Sequence, residues 1–277
     1  MAKHQARCAA EIVDRGSMMF RTTIGRMFRA LSATNEAILR AESEDELFQR
    51  VCDAALFGGE FLGTSVLLAD EGGLLRFVAG AGAGLGTLKN TTNFSSVNEN
   101  SDDGQGLAAT AFRSGRSCIT NDYINDPRTK RWHVQAREIG ARSAAAAPIK
   151  RHGKSIGALL VYLDQPNALT EETVGLLERM AENLSFALDN FDRDRATARI
   201  TRMYAALTAT NEAIMRAHSE EEMFKRVCEA AVDQGRLLGA AIFMPEPDSL
   251  WFRLAAQASE YPEITASLRF SCDPSIP

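Results

Sequence analysis

One stretch of the chain occurs twice, and this repeat constrains the fold more than any other feature of the sequence. Residues 31–55 read LSATNEAILRAESEDELFQRVCDAA, and residues 207–231 read LTATNEAIMRAHSEEEMFKRVCEAA. The offset is 176 positions (207 minus 31), and 18 of the 25 residues are identical. A repeat at a fixed offset predicts two copies of one structural unit.

The second copy is expected to be incomplete. Adding the offset to residues 104–163 gives 280–339, and those positions lie beyond Pro277. The second unit should therefore have the helices and first strands of the unit but not its later strands. Half a sheet cannot bury both of its faces, and it leaves a strand edge unpaired. We therefore expect a truncated second unit in a fragment of a larger signalling protein.

The composition is that of a globular protein, with 45% hydrophobic and 24% charged residues. The net charge of −5 offers no general attraction to nucleic acid or to anionic lipid. No apolar run approaches the roughly 20 residues that span a bilayer, and the first residues lack the pattern of a signal peptide. We expect a cytoplasmic protein with neither nucleic-acid nor membrane partners.

The five cysteines and four histidines are scattered along the chain. Their spacing is typical neither of a disulfide framework nor of a zinc site. The sequence therefore predicts no metal site, and it predicts that the thiols are buried and inert.

Each copy begins with two helices. Apolar residues follow largely three-four spacing from Ile24 to Leu39, which indicates an amphipathic helix. A second helix is predicted to start at Ser43, which forms a capping box with Glu46. Ser219 and Glu222 repeat this box in the second copy.

Strands follow the helices in both copies. β-like runs separated by turn residues predict a hairpin in each copy, over 64–70 and 74–80 in the first and over 239–244 and 249–256 in the second. The first copy continues with a short helix and three more strands, predicted over 106–115, 117–120, 143–150 and 155–164. The last two strands are joined by a turn at His152-Gly153.

These elements predict an α+β fold in which an antiparallel sheet is flanked by helices. We expect an N-terminal extension over 1–23 and a first domain over 24–169. A connecting helix over 170–217 would then lead into the truncated second unit over 218–277. This helix would also be the first helix of that unit.

The connecting helix contains no proline, and Thr170 can cap its start. Its apolar residues fit two a/d seams that do not share a phase, which predicts a parallel homodimer through residues 170–217. The alternative is a helix that packs on its own domain. The first seam contains Leu177, Met180, Leu184, Ala187, Phe191 and Ala198, and the second contains Ile200, Met203, Leu207, Thr210 and Ile214.

The first copy resembles the GAF domain family. The resemblance rests on GQGLAATAFRSGRSCITNDYINDPR (104–128), on ARSAAAAPIKRHGKSIGALLVYL (141–163) and on the helix LTEETVGLLERMAENLSFALDN that follows. Such domains have a G-x-G segment that opens a short helix, an N-D loop and a G-x-x-I-G turn. The repeat is similar to tandem GAF arrays that precede a diguanylate cyclase (GGDEF) domain or a histidine kinase.

The resemblance implies a sensory and regulatory module without catalysis of its own. In such a module, binding of a small molecule changes the connecting helix and hence an output domain. The expected output domain is a diguanylate cyclase. The segment 121–142 combines charged and aromatic residues and is the predicted ligand side. Tyr123 and Trp132 could supply apolar walls, and Arg128 could meet an anionic group. The candidate ligand residues are Asp122, Tyr123, Arg128, Trp132, Arg142 and Ser143, and the cofactor is unknown.

Two other interpretations of residues in segment 121–142, and two other functions of the chain, stay open. Asp126-Pro127 also reads as a helix start, and Asp122 could only cap the loop. A thiol enzyme similar to the free methionine sulfoxide reductases is one alternative, although Leu107-Ala108 and Trp132-His133-Val134 stand where those enzymes have cysteines. A dimerisation module with an empty pocket is the other.

Overall fold

The computed structural model describes residues 23–83, 95–247, 249–261, 263, 270 and 271. The chain divides into two compact units, Met1–Phe191 and Asp192–Pro277. Residues 171–191 thus belong to the first unit, whereas the prediction ended the first domain at residue 169 and assigned residues 170–217 to a connecting helix that also opens the second unit. Apart from Thr23, the predicted extension 1–23 lies outside the described residues. No helix among the described residues is long and apolar enough to cross a membrane.

Two helices open the first unit, α1 over 23–39 and α2 over Glu44–Gly59. Ser43 caps α2, because its Oγ accepts the backbone N–H of Glu46 at 3.3 Å. Glu46 Oε2 accepts the backbone N–H of Glu42 at 2.9 Å. The predicted capping box is confirmed, with its return bond one residue earlier than in the usual motif.

Six strands form one sheet in which all neighbours are antiparallel, in the order β3-β2-β1-β6-β5-β4. The strands are β1 Gly63–Ala69, β2 Leu74–Gly82, β3 Ser95–Ser96, β4 Cys118–Thr120, β5 Ser143–Arg151 and β6 Lys154–Leu163. The helices α3 Leu107–Ser114 and α4 His133–Ile139 and the 3-10 turns Asp102–Gln105 and Pro127–Trp132 lie between strands. The predicted α+β class is confirmed.

The pairing of β1 with β6 requires the second glycine of the G-x-x-I-G turn motif, Gly157. Gly157 pairs with Leu68, and a Cβ at position 157 would overlap the carbonyl oxygen of Leu67. Any larger residue would force the two strands apart at this point.

Side chains on the two faces of the sheet form two separate apolar clusters. Along β5, Ala145 and Ala147 enter one cluster, whereas Ala144 and Ala146 enter the other, as expected from the two-residue period of a strand. The first cluster includes buried residues of α1, α2 and the helix that follows β6. The second cluster includes residues of α3 and of segment 121–142.

The long helix α5 runs without a break from Glu171 to Arg216. Thr170 caps it as predicted, since its Oγ1 accepts the Thr173 N–H at 3.4 Å and its carbonyl accepts the Val174 N–H at 2.9 Å. The first predicted seam is wrong, because its residues up to Phe191 pack in or against the first cluster of their own unit. A helix on a sheet and a coiled coil share nearly the same apolar spacing, so the pattern could not separate them.

The second unit contains the rest of α5, α6 over Glu220–Gly235, and a two-stranded sheet of β7 Gly239–Pro245 and β8 Phe252–Ser259. Its hairpin repeats the register of the first. Val66 pairs with Ala79 beside a bulge at Val78 in β2, and Ile242 pairs with Ala256 beside the equivalent bulge at Ala255 in β8. Ser219 accepts the Glu222 N–H at 3.2 Å, so the second capping box is also present.

The burial of Leu184 gives a test of its place in the first unit. Leu184 is fully buried, so Leu184→Ala should lower the free energy of unfolding of this unit by about 2–5 kcal/mol. Urea unfolding followed by Trp132 fluorescence in a Trp251→Phe background reports on the first unit alone. Leu39→Ala, the same truncation at an exposed position of α1, should change this free energy by less than about 0.5 kcal/mol. Equal losses in the two variants would contradict the packing of Leu184 in this core.

Candidate functional site

Segment 121–142 leaves the edge strand β4 and covers part of the second cluster. Its 3-10 turn begins at Pro127, and Asp126 caps it by accepting the Arg128 N–H at 2.9 Å. The prediction of a helix start at Asp126-Pro127 is confirmed.

Backbone hydrogen bonds close the segment into a loop. The N–H of Tyr123 donates to the carbonyl of Arg142 at 2.8 Å, and the N–H of Arg142 donates to the carbonyl of Leu163 on β6 at 2.8 Å. The loop ends are therefore fixed to the sheet.

Tyr123 and Trp132, which were predicted as apolar walls, both contact the second cluster. Tyr123 is 5% exposed, and its ring packs edge-on against Tyr162 with centroids 6.0 Å apart. Burial raises the pKa of Tyr123 well above 10 and that of Tyr162 to about 12, so both phenols stay neutral at physiological pH. Trp132 is half-buried against the same cluster.

Arg128 is largely occupied by partners within the chain. Its Nη2 donates to Asp126 Oδ2 at 2.6 Å and to the carbonyl of Ile119 at 2.8 Å, and its Nη1 donates to Cys118 Sγ at 3.2 Å. The hydrogen bonds from Arg128 are the main cause that lowers the pKa of Asp126 to about 2. Arg128 thus ties the 3-10 turn to β4, and little of its donor capacity remains for an anionic ligand.

The other three predicted residues lie apart from this cluster. Asp122 is exposed, and its carboxylate accepts the side-chain N–H of Asn125 at 2.8 Å, which agrees with the alternative of a loop cap. The side chain of Arg142 is exposed. Ser143 is buried, and its hydroxyl donates to the carbonyl of Gln165 at 2.7 Å. Of the six candidates, only Tyr123 and Trp132 therefore belong to the second cluster.

Asn121, the first residue of the segment, was not among the predicted site residues. Its side-chain amide donates to the carbonyl of Leu169 at 2.8 Å, and its side-chain oxygen accepts the Leu169 N–H at 2.9 Å. The segment is thereby joined to the residue that precedes the Thr170 cap of α5. The N-D motif contained this signal, but only its aspartate was selected as a candidate.

The small residues of the second cluster were also missed. Ala144 and Ala146 on β5 and Ala158 on β6 are fully buried in it. The run SAAAAP at 143–148 signalled a strand with little side-chain volume on either face. Because these side chains are short, little side-chain volume projects from the sheet beneath segment 121–142.

The described cysteines are poorly suited to thiol chemistry. Burial raises the pKa of Cys52 to about 12, and it also raises the pKa of Cys118 and of Cys228. The thiolate is the nucleophile, so these groups are weakly reactive near neutral pH. Cys8 and Cys272 lie outside the described residues.

Potential metal ligands also approach each other at the surface of the first unit. His152 Nδ1 lies 3.5 Å from Asp189 Oδ1, and this carboxylate oxygen also accepts the backbone N–H of His152 at 2.8 Å. Structural metal sites usually provide four ligands, so this pair alone does not define a metal site. It ties the β5–β6 turn to α5.

The first unit is thus an α+β domain whose antiparallel sheet carries long helices on one face and a loop segment with short helices on the other. The GAF domain family matches residues 41–189. This match covers 149 of 277 residues (189 − 41 + 1), so the chain belongs to the GAF domain family. The resemblance seen in the sequence is confirmed at this level.

The chain is similar to solved structures at low sequence identity. The GAF domain of a phosphoenolpyruvate-protein phosphotransferase from Coxiella burnetii is 15% identical, with a TM-score of 0.50 over 62% of this chain and 98% of that one. The free methionine-R-sulfoxide reductase from Neisseria meningitidis, solved with its substrate, is 15% identical, with a TM-score of 0.48 over 59% of this chain and 88% of that one. No curated protein matches the chain at a significant level.

The contact between Asp126 and Arg128 predicts a pH dependence. The pKa of Asp126 is lower in the folded protein than its ordinary value of 3.8. Its carboxylate therefore stabilises the fold above about pH 4, and the contribution is lost as the pH falls towards about 2. Asp126→Asn should lower the urea midpoint of the first unit at pH 7, and the difference from the parent should shrink at pH 3.

A matched control is Asp122→Asn, which removes an exposed carboxylate from the same segment. This change should alter stability by less than about 0.5 kcal/mol. A loss in Asp126→Asn that stays constant between pH 7 and pH 3 would show that the carboxylate charge is not what stabilises the turn.

Proposed function

We propose that this chain is a sensory and regulatory GAF module that binds a small molecule between the sheet and segment 121–142. The proposal rests on the second cluster, in which short alanine side chains of the sheet lie opposite the aromatic side chains of Tyr123 and Trp132. A small-molecule site needs apolar walls and a few polar groups that orient the ligand. Gln135 on α4 has a buried Oε1 with no hydrogen-bond partner among the described residues, and it could accept such a bond.

A relay to α5 follows from the contacts of Asn121. A ligand that displaces the segment would act on Asn121, whose two hydrogen bonds to Leu169 lie next to the Thr170 cap. The shift would then pass into α5 and on to an output domain, for which we propose a diguanylate cyclase, with a histidine kinase as the second choice. The module would act in the cytoplasm and have no catalysis of its own.

We further propose a homodimer with contacts along residues 170–217. The residues of the first seam up to Phe191 are not available for this contact, because they pack in or against the first cluster of their own unit. Phe186 is 62% exposed on the same stretch of α5, and it is an apolar anchor that a second copy could cover. Large exposed apolar side chains are enriched where proteins associate.

The two alternatives remain distinguishable from this proposal. A thiol enzyme requires a reactive cysteine, whereas the three described thiols have raised pKa values because they are buried. A dimerisation module without a ligand would contain no bound small molecule. Native mass spectrometry of the protein purified from cells, with small-molecule analysis of the released fraction, separates this alternative from a ligand-binding sensor.

The ligand position predicts the effect of one truncation. If a co-purified molecule is identified, Trp132→Ala should weaken its binding by about 1–3 kcal/mol through lost apolar burial, measured by isothermal calorimetry. Val134→Ala, which shortens an exposed residue of the same segment, should leave the affinity unchanged. Unchanged affinity in both variants would place the site elsewhere.

The relay is tested with the same ligand. Asn121→Ala removes both hydrogen bonds to Leu169. Ligand-induced changes in hydrogen exchange at the start of α5 should then disappear, while binding by calorimetry persists. An intact response of α5 in this variant would rule out the relay through Asn121.

The dimer is tested at an exposed position, where a charge does not disturb the core. Phe186→Glu should convert a dimer into a monomer of 30.2 kDa in light scattering, since the charge would have to be buried in the contact. Glu182→Gln, one turn earlier on an exposed position, should remain dimeric. A monomeric parent protein, or a dimer that survives Phe186→Glu, would contradict this contact.

A further inference from the structure

The charge of the first unit is divided between the two sides of its sheet. Residues 113–154 contain ten Lys or Arg and three Asp or Glu, a net charge of +7 (10 − 3), although the whole chain has −5. Residues 24–60 and 171–191 contain five Lys or Arg and 12 Asp or Glu. These two ranges include α1, α2 and the start of α5, which cover the first face. The helical side is thus acidic, and the region that contains segment 121–142 is basic.

The structure brings basic side chains together on the second face. Segment 121–142 covers part of the second cluster, and it presents the exposed side chains of Lys130, Arg137 and Arg142. Lys150 of β5 projects to the same side as α3, which packs in this cluster. A Cβ at Gly115, the C-cap of α3, would lie 4.0 Å from Lys150 Nζ. Cations from the segment and from β5 therefore lie on one side of the sheet.

The acidic residues of the region do not neutralise these cations. Asp126 is bonded to Arg128, and the Asp122 carboxylate accepts the side-chain N–H of Asn125. Glu138, the third acid, is exposed and makes no ion pair with a described residue. Six basic side chains likewise have no ion pair with a described residue, and we call them the basic surface: Arg116, Lys130, Arg137, Arg142, Lys150 and Lys154.

The N-terminal part of the unit shows the opposite pattern. The described residues 23–83 contain five arginines, and each has an acidic partner. The pairs are Arg26 with Asp164, Arg29 with Glu60, Arg40 with Glu36, Arg50 with Glu46 and Arg76 with Asp70. Unpaired cations are thus concentrated on the second face. This is the pattern of a surface whose partner supplies the negative charge.

We propose that the basic surface docks an acidic segment of another protein. Arg142 and Lys150 are eight residues apart in the sequence. Along an extended strand this separation corresponds to about 27 Å, so an extended acidic segment of about eight residues has the matching length. Complementary charges of this kind mainly speed association and select the partner.

A short acidic segment fits this surface better than a nucleic acid or a membrane does. At the β5–β6 turn, Arg151 donates to Glu44 at 2.7 Å. The basic surface is therefore bordered there by the acidic first turn of α2, which contains Glu44, Asp45 and Glu46. A long duplex or an anionic bilayer extends past this border and meets like charge. A segment of about eight residues can contact the basic surface alone.

The experiment uses the full chain and a fluorescent deca-glutamate peptide with blocked ends. Fluorescence anisotropy at about 50 mM NaCl should show binding, and the affinity should fall about 10-fold at about 200 mM NaCl because exposed charges are screened. A tetra-glutamate peptide extends over only about 13 Å. It cannot reach both ends of the basic surface, and it should bind about 10-fold more weakly than the longer peptide.

Charge reversal tests the location. Lys130→Glu combined with Arg137→Glu should weaken binding of the deca-glutamate peptide about 10-fold. The matched control is Arg40→Glu with Arg50→Glu, which makes the same change in net charge at ion-paired positions of α1 and α2. This control should change the affinity less than about 3-fold. Urea unfolding confirms that each variant is folded, and Arg142→Glu with Lys154→Glu is an independent second reversal.

Three results would overturn the proposal. One is no binding of the deca-glutamate peptide at low salt, and another is an equal loss of affinity in the control and in both reversals. The third is tighter binding of a DNA duplex of about 20 base pairs, or of phosphatidylserine vesicles, that both reversals abolish. That result would make a nucleic acid or a membrane the occupant. None of these measurements involves the small molecule proposed above, so the two proposals fail separately.

Discussion

The pairing of β1 with β6 holds the first unit together, because it joins the N-terminal hairpin to strands that come much later in the chain. Gly63 is paired with Tyr162 and Leu68 with Gly157. Once β6 is in place, β5 and β4 extend the sheet, and α5 can lie across its first face. Both faces of the sheet must be buried, and different elements cover the two faces. The long helices cover one face, and a loop segment with short helices covers the other.

The second face of the sheet is covered by segment 121–142 and short helices. Local hydrogen bonds hold the segment in place: Asp126 with Arg128, Tyr123 with Arg142, and Asn121 with Leu169. Between the segment and the sheet lie aromatic side chains and short alanine side chains. A ligand at this position would compete with few strong contacts, and it would lie close to the start of α5. In the proposed mechanism, ligand binding and relay would both depend on this one loop.

The second unit shows the same local structure without the same burial. Its helix cap, its hairpin register and its bulge all repeat those of the first unit. These features depend on neighbouring residues, and so they form again when the neighbours repeat. Burial depends on strands and a helix distant in the sequence, and the exposed face of residues 200–214 lacks them among the described residues. The contrast separates local from tertiary determinants within one chain.

Sequence alone determined the family, the two capping boxes, the strands of both hairpins and the 3-10 start at Asp126-Pro127, because each depends on a short motif or on the local period of apolar residues. It also predicted Tyr123 and Trp132 as apolar walls of a ligand site, which stays a prediction, and the structure places both in contact with the second cluster. Only the tertiary structure decided that Leu184 faces its own sheet and that Arg128 is occupied by Asp126, Ile119 and Cys118. The physical reason is that the apolar residues of a helix have the same spacing whatever element covers them. The sequence likewise shows that a residue is charged, but it does not show whether the hydrogen-bond donors of that residue are already paired.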